Sequence, residues 1–409
     1  MTFLYYLLKI VSIMKKILYI SGSLGLGHIS RDLIFARELR NQFSDIEIYW
    51  LAYEPALSVI IQAGEKTVPE INLYNNDNVQ AEATSKGSEL SLILYSFKSL
   101  GKWSRNAEVV KKILKHNNFD LIIGDETYEL IVALVLNRLK LEIPFVIIYN
   151  FLGLDAMSKN PLEHIIGFFI NRLWSLDYKI FTRDKNLALF VGELEDIPDK
   201  RFSFALPNRR QYAKKYYNFL GYILPFNPNE YNDKKRISQK LGYGDEPLII
   251  CSIGGTSIGK ELLELCAKAY PIAKKKIPDL RMVLVCGPRL LAESLNVPKN
   301  IQVRHYVPAL YEHFAACDLA VVQGGGTTTL ELTALKKPFI YFSLVGHTEQ
   351  ENVSQRLQRY NAGIKMSYIN TDAEMLAEAI IKNINADVNY KDVPLDGAQN
   401  GVKLLSKFF

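Results

Sequence analysis

The chain has 409 residues, 48% of them hydrophobic, and a formal charge of +6. That length fits two to three domains with sizeable cores. The mild positive balance contains no long basic run, so no nucleic-acid partner is expected; it suits an anionic substrate or an anionic membrane surface. Four cysteines, Cys251, Cys266, Cys286 and Cys317, lack paired CxxC spacing, which argues against a zinc site and for reduced thiols in a cytoplasmic protein.

Residues 1–13 are apolar but too few to span a bilayer, and no small-residue cleavage site follows them. Either Met14 is the natural start or residues 1–14 form a short interfacial or packed extension. From residue 15 onward the chain alternates strand-like and helix-like stretches, the pattern of a parallel α/β sheet. In the first series the predicted strands are 16–21, 47–52, 121–124, 145–149 and 179–182, with helices at 29–42 and 89–116. Residues 222–232 are rich in Pro and Asn and read as a linker. A second series follows, with strands at 248–253, 282–286, 302–305, 319–322 and 339–342 and helices at 349–360 and 373–384, and an amphipathic stretch at 401–409 ends the chain. The expected organisation is an N-terminal doubly wound domain over 15–221, a C-terminal one over 233–385, and a tail with a helix over 386–409. Two such domains facing each other place a cleft between the carboxyl ends of their strands, where α/β folds bind ligands.

The most informative segment is Gln323-Gly324-Gly325-Gly326-Thr327-Thr328-Thr329-Leu330-Glu331, directly after a strand. A strand that stops at glycines and restarts as a helix leaves backbone N–H groups free, with about half a positive charge from the helix dipole. That is an anion site, most often for phosphate, and Glu331, one turn further on, is placed to meet a diol. Phosphate and diol together outline a nucleotide or nucleotide-sugar.

Two more glycine loops follow strands. Gly254-Gly255-Thr256-Ser257-Ile258-Gly259-Lys260 has the spacing of a P-loop, but Glu261 stands where a Ser or Thr must ligate Mg²⁺. Gly254, Gly255 and Thr256 then read as phosphate donors at the cleft or as a turn of small residues. In Ser21-Gly22-Ser23-Leu24-Gly25-Leu26-Gly27-His28, Ser30 spoils a dinucleotide fingerprint. What marks this loop is His28 at the start of the next helix, a side chain suited to proton transfer near neutral pH. Asp125, just past another strand, either orients a histidine ring, as the acid of a triad does, or caps the helix starting near Thr127.

With these loops in place, the chain resembles GT-B glycosyltransferases, and within them family 28 and the UDP-glycosyltransferases. The signature His-x-Gly-x-x-Ser-x-x-Glu, then Pro, an acid–Gln pair and Asn, reads here Gln323-x-Gly325-x-x-Thr328-x-x-Glu331, Pro338, Glu349-Gln350 and Asn352. The resemblance implies two Rossmann-like domains around a central cleft. It implies that Gly325, Gly326, Thr327 and Thr328 hold a diphosphate, that Glu331 takes the ribose hydroxyls, and that Glu349 and Gln350 take the donor sugar. Backbone groups of Tyr306 and Val307 would read the base. His28 would be the general base and Asp125 its partner. No catalytic metal and no cofactor besides the UDP-sugar co-substrate are implied. Gln323 departs from the pattern, because relatives carry His or Arg there, and nearby His347 is an alternative phosphate contact.

The expected activity is inverting transfer of a hexose or N-acetylhexosamine from a UDP-sugar to a hydroxyl acceptor, lipid-linked or glycan. Residues 165–174 are apolar and aromatic, with Arg172 nearby and Arg209, Arg210, Lys214 and Lys215 in the same domain. They read either as a core-packed helix or as a peripheral contact with an anionic membrane, at the inner face of a cytoplasmic membrane. The alternatives are a UDP-sugar 2-epimerase of the same architecture and a non-catalytic nucleotide-sugar-binding subunit.

Overall fold

The first strand, β1 (Lys15–Ile20), is apolar on both faces. Ile17 and Tyr19 join one buried cluster, Leu18 and Ile20 another, and all four are fully buried. A strand covered on both sides belongs in a parallel sheet flanked by helices. The computed structural model describes residues 14–22, 27–74, 85–86, 89–90, 92–156, 160–182, 184–255, 259–298, 300–344 and 347–409. The apolar extension, residues 23–26 of the first glycine loop and Thr256 lie outside the described residues.

After β1 come α1 (Gly27–Gln42), β2 (Ile46–Leu51), α2 (Ala56–Gln62) and β3 (Lys66–Thr67). A short antiparallel pair, β4 (Ser85–Lys86) and β5 (Glu89–Leu90), precedes the long α3 (Leu92–His116). Then follow β6 (Leu121–Asp125), α4 (Tyr128–Val135), β7 (Phe145–Tyr149), α5 (Pro161–Trp174), α6 (Tyr178–Phe181), β8 (Asn186–Phe190), α7 (Arg209–Tyr216) and β9 (Asn218–Phe219). The sheet is parallel, with strand order β3-β2-β1-β6-β7-β8-β9.

One strand expectation is corrected here. Residues 179–181 belong to the short helix α6, Thr182 caps it, and the strand comes next, as β8. The reason is tertiary. The hydroxyls of Tyr149, Tyr212 and Tyr217 all donate to the buried Asp177 carboxylate, and the Tyr178 amide donates to Tyr212 Oη (2.9 Å). These bonds pin a turn immediately before a segment whose apolar composition reads as extended.

The second sheet repeats the logic. In β10 (Leu248–Ser252), Ile249 and Cys251 face one core cluster, Leu248 and Ile250 the other. The series runs α8 (Lys234–Lys240), β10, α9 (Lys260–Lys274), β11 (Arg281–Val285), β12 (Gln302–Arg304), α10 (Leu310–Ala316), β13 (Leu319–Gln323), α11 (Gly326–Ala334), β14 (Phe339–Phe342), α12 (Thr348–Arg359), β15 (Ile364–Met366) and α13 (Ala373–Asn383). Its parallel order is β12-β11-β10-β13-β14-β15. The four cysteines are buried free thiols.

The last helix, α14 (Gly397–Leu405), does not stay with the second sheet. Ala398, Val402 and Leu405 enter the core cluster of Tyr19, Phe35 and Trp50 beneath the first sheet. Gly401 permits this approach, since a Cβ there would collide with the Phe35 ring. The chain therefore crosses between the sheets twice. The two crossings lie side by side: Tyr222 N donates to Pro394 O (2.8 Å) and Gly397 N to Tyr222 O (3.0 Å).

Candidate active site

Both sheets turn their carboxyl-terminal strand ends toward one cleft of about 220 Å³. From the first sheet it is lined by Gly27, His28 and Arg31 at the start of α1 and by Asn150 after β7; from the second, by Gly254 and Gly255 after β10, by Gln323 and the first turn of α11, and by residues of α12. The N-termini of α1 and α11 meet here, so closely that a Cβ at Gly27 would strike Thr327 Oγ1. Two helix N-termini aimed into one cleft give it a positive potential without any charged side chain.

His28 and Asp125, 97 residues apart in sequence, come into direct contact: Nδ1 lies 2.7 Å from Asp125 Oδ2. Asp125 is therefore bound to a histidine ring and does not serve as the helix cap, a position that Thr127 occupies before α4. Asp125 is fully buried, and Arg31 Nη2 donates to its other oxygen at 2.5 Å. Burial alone would raise the Asp125 pKa, but the Arg31 and His28 charges reverse this and hold it below the usual carboxylate value. Behind Arg31, the buried Asp32 accepts from Ser21 Oγ (2.5 Å) and Tyr19 Oη (3.1 Å).

With Nδ1 committed to Asp125, Nε2 is the nitrogen left for a substrate, and Glu126 Oε2 stands 3.6 Å from it. Glu126 is held at φ +50°, a backbone conformation uncommon for a residue with a side chain. Its other oxygen, Oε1, is buried without a hydrogen-bond partner. Burial lowers the His28 pKa, but Asp125 and Glu126 outweigh it and bring the imidazole up to about 9. Burial pushes the Glu126 carboxyl up to about 8, with the histidine charge pulling against it. Arg31 and Glu126 escaped the sequence reading. Glu126 had a local signal, since it adjoins Asp125 at a strand end, whereas Arg31 had none apart from being one helical turn after His28.

On the opposite wall, the residues expected to bind a donor fall into three groups. Gly254, Gly255, Gln323, Gly325, Gly326, Thr327, Thr328, His347, Glu349 and Gln350 line the cleft together. Gln323 closes β13 with its amide against the Gly259 turn, where a Cβ would lie 2.8 Å from Nε2. His347 caps α12, its Nδ1 accepting from Gln350 N (3.4 Å), and Gln350 Oε1 accepts from Leu344 N (2.8 Å). Glu331 is buried in the second turn of α11 and does not line the cleft; desolvation pushes its carboxyl up to about 8. Tyr306 and Val307 lie in the loop between β12 and α10, also outside the lining, and the Tyr306 side chain is largely exposed. Two polar α12 residues of the lining were not singled out as ligands. Asn352 Nδ2 is buried and unpartnered, and Arg356 donates to the Gly326 carbonyl (2.7 Å). A bridge across the cleft floor joins α12 to the first half: Arg359 Nη2 donates to Glu193 Oε2 (2.9 Å) and Asp196 Oδ1 (2.8 Å). Among the described residues no group of three or more His, Cys, Asp or Glu side chains is placed to hold a metal ion.

Two doubly wound sheets with a shared cleft and a glycine-rich helix start on one wall form the GT-B fold. Residues 249–405 match the family model described as Glycosyltransferase family 28 C-terminal domain. The C-terminal part of the chain is similar to that family, and the chain is a glycosyltransferase. It is 25% identical over 412 residues to an uncharacterized glycosyltransferase of Methanosarcina acetivorans, covering 96% of this chain and 98% of the relative. Over 181 residues it is 24% identical to the UDP-N-acetylglucosamine–N-acetylmuramyl-(pentapeptide) pyrophosphoryl-undecaprenol N-acetylglucosamine transferase of Carboxydothermus hydrogenoformans, covering 43% of this chain and 47% of that one. Among solved structures, the glycotransferase of kitacinnamycin superposes with a TM-score of 0.61 at 15% identity, covering 96% of this chain and 99% of the other, a likeness of fold.

Proposed function

We propose that the protein transfers a sugar from a UDP-sugar to a hydroxyl acceptor with inversion at C1, His28 serving as general base. The observation that carries this reading is the His28–Asp125 contact facing the N-terminal turn of α11 across one cleft. The acceptor O–H proton passes to His28 Nε2 as the acceptor oxygen bonds to the sugar C1. The C1–O bond to the diphosphate breaks, and the nucleoside diphosphate leaves with the electron pair. Backbone amides at Gly325–Thr328 stabilise the charge that develops on it. Attack from the His28 side, opposite the leaving group, inverts C1. The test is a panel of nucleotide-sugars screened for thermal stabilisation, followed by NMR of the product anomer. Stabilisation by UDP-sugars and an inverted product support the reading; a retained anomer overturns it.

The imidazole pKa of about 9 gives this mechanism a pH signature. The base must be neutral, and kcat/KM for the acceptor reports the free enzyme. It is therefore expected to rise about tenfold per pH unit through neutrality and to level near pH 9. In Glu126→Gln, the loss of a carboxylate beside Nε2 lowers the histidine pKa, so the rising limb moves to lower pH. A limb that stays in place in this variant removes Glu126 from control of the base.

A lipid-linked acceptor belongs to the same proposal. Helix α5 buries Ile166, Asn171 and Trp174 but exposes Leu162 (56%), Ile165 (55%) and Phe169 (62%), spaced along one face with Arg172. Its inner face packs in the core while the outer face offers an apolar stripe, joining the two sequence readings of this segment. No helix among the described residues is long and apolar enough to cross a membrane. Surface docking through this stripe, at an anionic inner leaflet, fits it. Phe169→Glu is expected to reduce co-sedimentation with anionic liposomes while leaving nucleotide affinity intact. Equal sedimentation of variant and wild type would remove α5 as the docking face.

A further inference from the structure

The phosphate wall of the cleft has a charge deficit at one point and a charge surplus at another. Gln323, at the end of β13, brings an amide where the resemblance leads one to expect a cation. Arg356, on α12, reaches back to the first turn of α11. There Nη2 donates to Gly326 O (2.7 Å) and lies 3.3 Å from Thr329 Oγ1, and the guanidinium lies 5.3 Å from the centre of the Tyr222 ring. Its side chain lines the cleft. No carboxylate among the described residues comes within 4.0 Å of it. The neighbouring cations are committed elsewhere: Arg31 to Asp125, and Arg359 to Glu193 and Asp196.

A full positive charge parked at a helix N-terminus opposes the dipole, which places about half a positive charge in the same spot. The arrangement becomes favourable when an anion joins it. A diphosphate at the α11 turn would meet the free amides, the Thr327 and Thr328 hydroxyls and the guanidinium together. Arginine suits this role because its planar fork offers several donors to phosphate oxygens while one nitrogen stays anchored on Gly326.

We propose that Arg356 supplies the cation for the diphosphate of the sugar donor, taking over from α12 the role that Gln323 leaves vacant on β13. This rests on the donor reading above. The guanidinium offsets the charge that builds on the leaving diphosphate, so its effect extends from nucleotide affinity to turnover.

The experiment is calorimetric titration of UDP and of uridine into the full chain and into Arg356→Gln, Arg356→Lys and Arg356→Gln/Gln323→Arg, each first shown by circular dichroism to keep the wild-type fold. UDP affinity is expected to fall about tenfold or more in Arg356→Gln, to recover in part with Lys, and to recover again in the double variant, where the charge returns to position 323. Uridine affinity, which involves no phosphate, stays unchanged throughout. Equal UDP affinity in Arg356→Gln and wild type overturns the role of Arg356, as does a loss that is equally large for uridine. Wild-type protein that binds no UDP overturns the donor reading instead, which separates the two failures.

Discussion

Replacing His28 by Ala is expected to lower turnover by about 10²–10⁴-fold, the usual contribution of a positioned general base, with nucleotide affinity unchanged. The separation follows from the geometry. His28 sits on the α1 wall with Nδ1 on Asp125, and the amides of the α11 turn belong to the other sheet. Removing the imidazole takes away the proton acceptor and leaves the opposite wall intact. Single-turnover rates measured beside UDP calorimetry check this. Turnover within a few-fold of wild type would eliminate His28 as the base, and lost UDP affinity would show that the two walls are not independent.

Asp125→Ala is expected to be more damaging still, because it acts on both stability and turnover. Asp125 is fully buried and holds the charges of Arg31 and His28, whose side chains are each 11% exposed. Without it, two cations face each other inside the protein and lose the carboxylate that bonds to both, with only Asp32 behind Arg31 and Glu126 beside His28 left nearby. Breaking a buried ion pair from one side costs about 3–5 kcal/mol. The imidazole also loses the acceptor that fixes its tautomer, so the surviving folded protein turns over slowly. Asp125→Asn separates the effects: it keeps the shape and an amide oxygen for Nδ1–H but removes the charge. Denaturant unfolding and turnover of both variants are the measurements. Wild-type stability in Asp125→Ala would contradict the electrostatic account of this cluster.

The parts of this architecture that depend on local chemistry were legible in the sequence. Apolar runs of about five residues punctuated by glycines mark most strands, and the glycines after Gln323 mark the turn from β13 into α11. His28 at a helix start and Asp125 at a strand end were legible as types, although their contact was not, since nothing local ties residues 97 apart. Residues 178–181 misled because Tyr-Lys-Ile-Phe carries β-type side chains, while the turn is imposed by tyrosines from elsewhere in the fold around Asp177. Arg31 and Arg356 were hidden for another reason. A charged residue on an amphipathic helix usually faces water, and their direction is set by where α1 and α12 dock. Glu331 shows the converse: its spacing from the glycines suggested a diol ligand, and the structure adds that it is buried and desolvated.

The return of α14 to the first sheet has a mechanical consequence. A single linker would let the two halves swing and twist freely. Here two strands of backbone pass between them at the same place, laced by the hydrogen bonds of Tyr222 with Pro394 and Gly397. Such a double tether restricts the relative twist of the two halves more than a single linker would. Arg359, bound to Glu193 and Asp196 and 3.1 Å from Tyr222 Oη, adds a side-chain tie beside these crossings. Each cycle of sugar transfer would then bring His28 and the α11 turn back into the same alignment, so the last nine-residue helix of the chain, far from any reacting atom, sets the registration of the two walls.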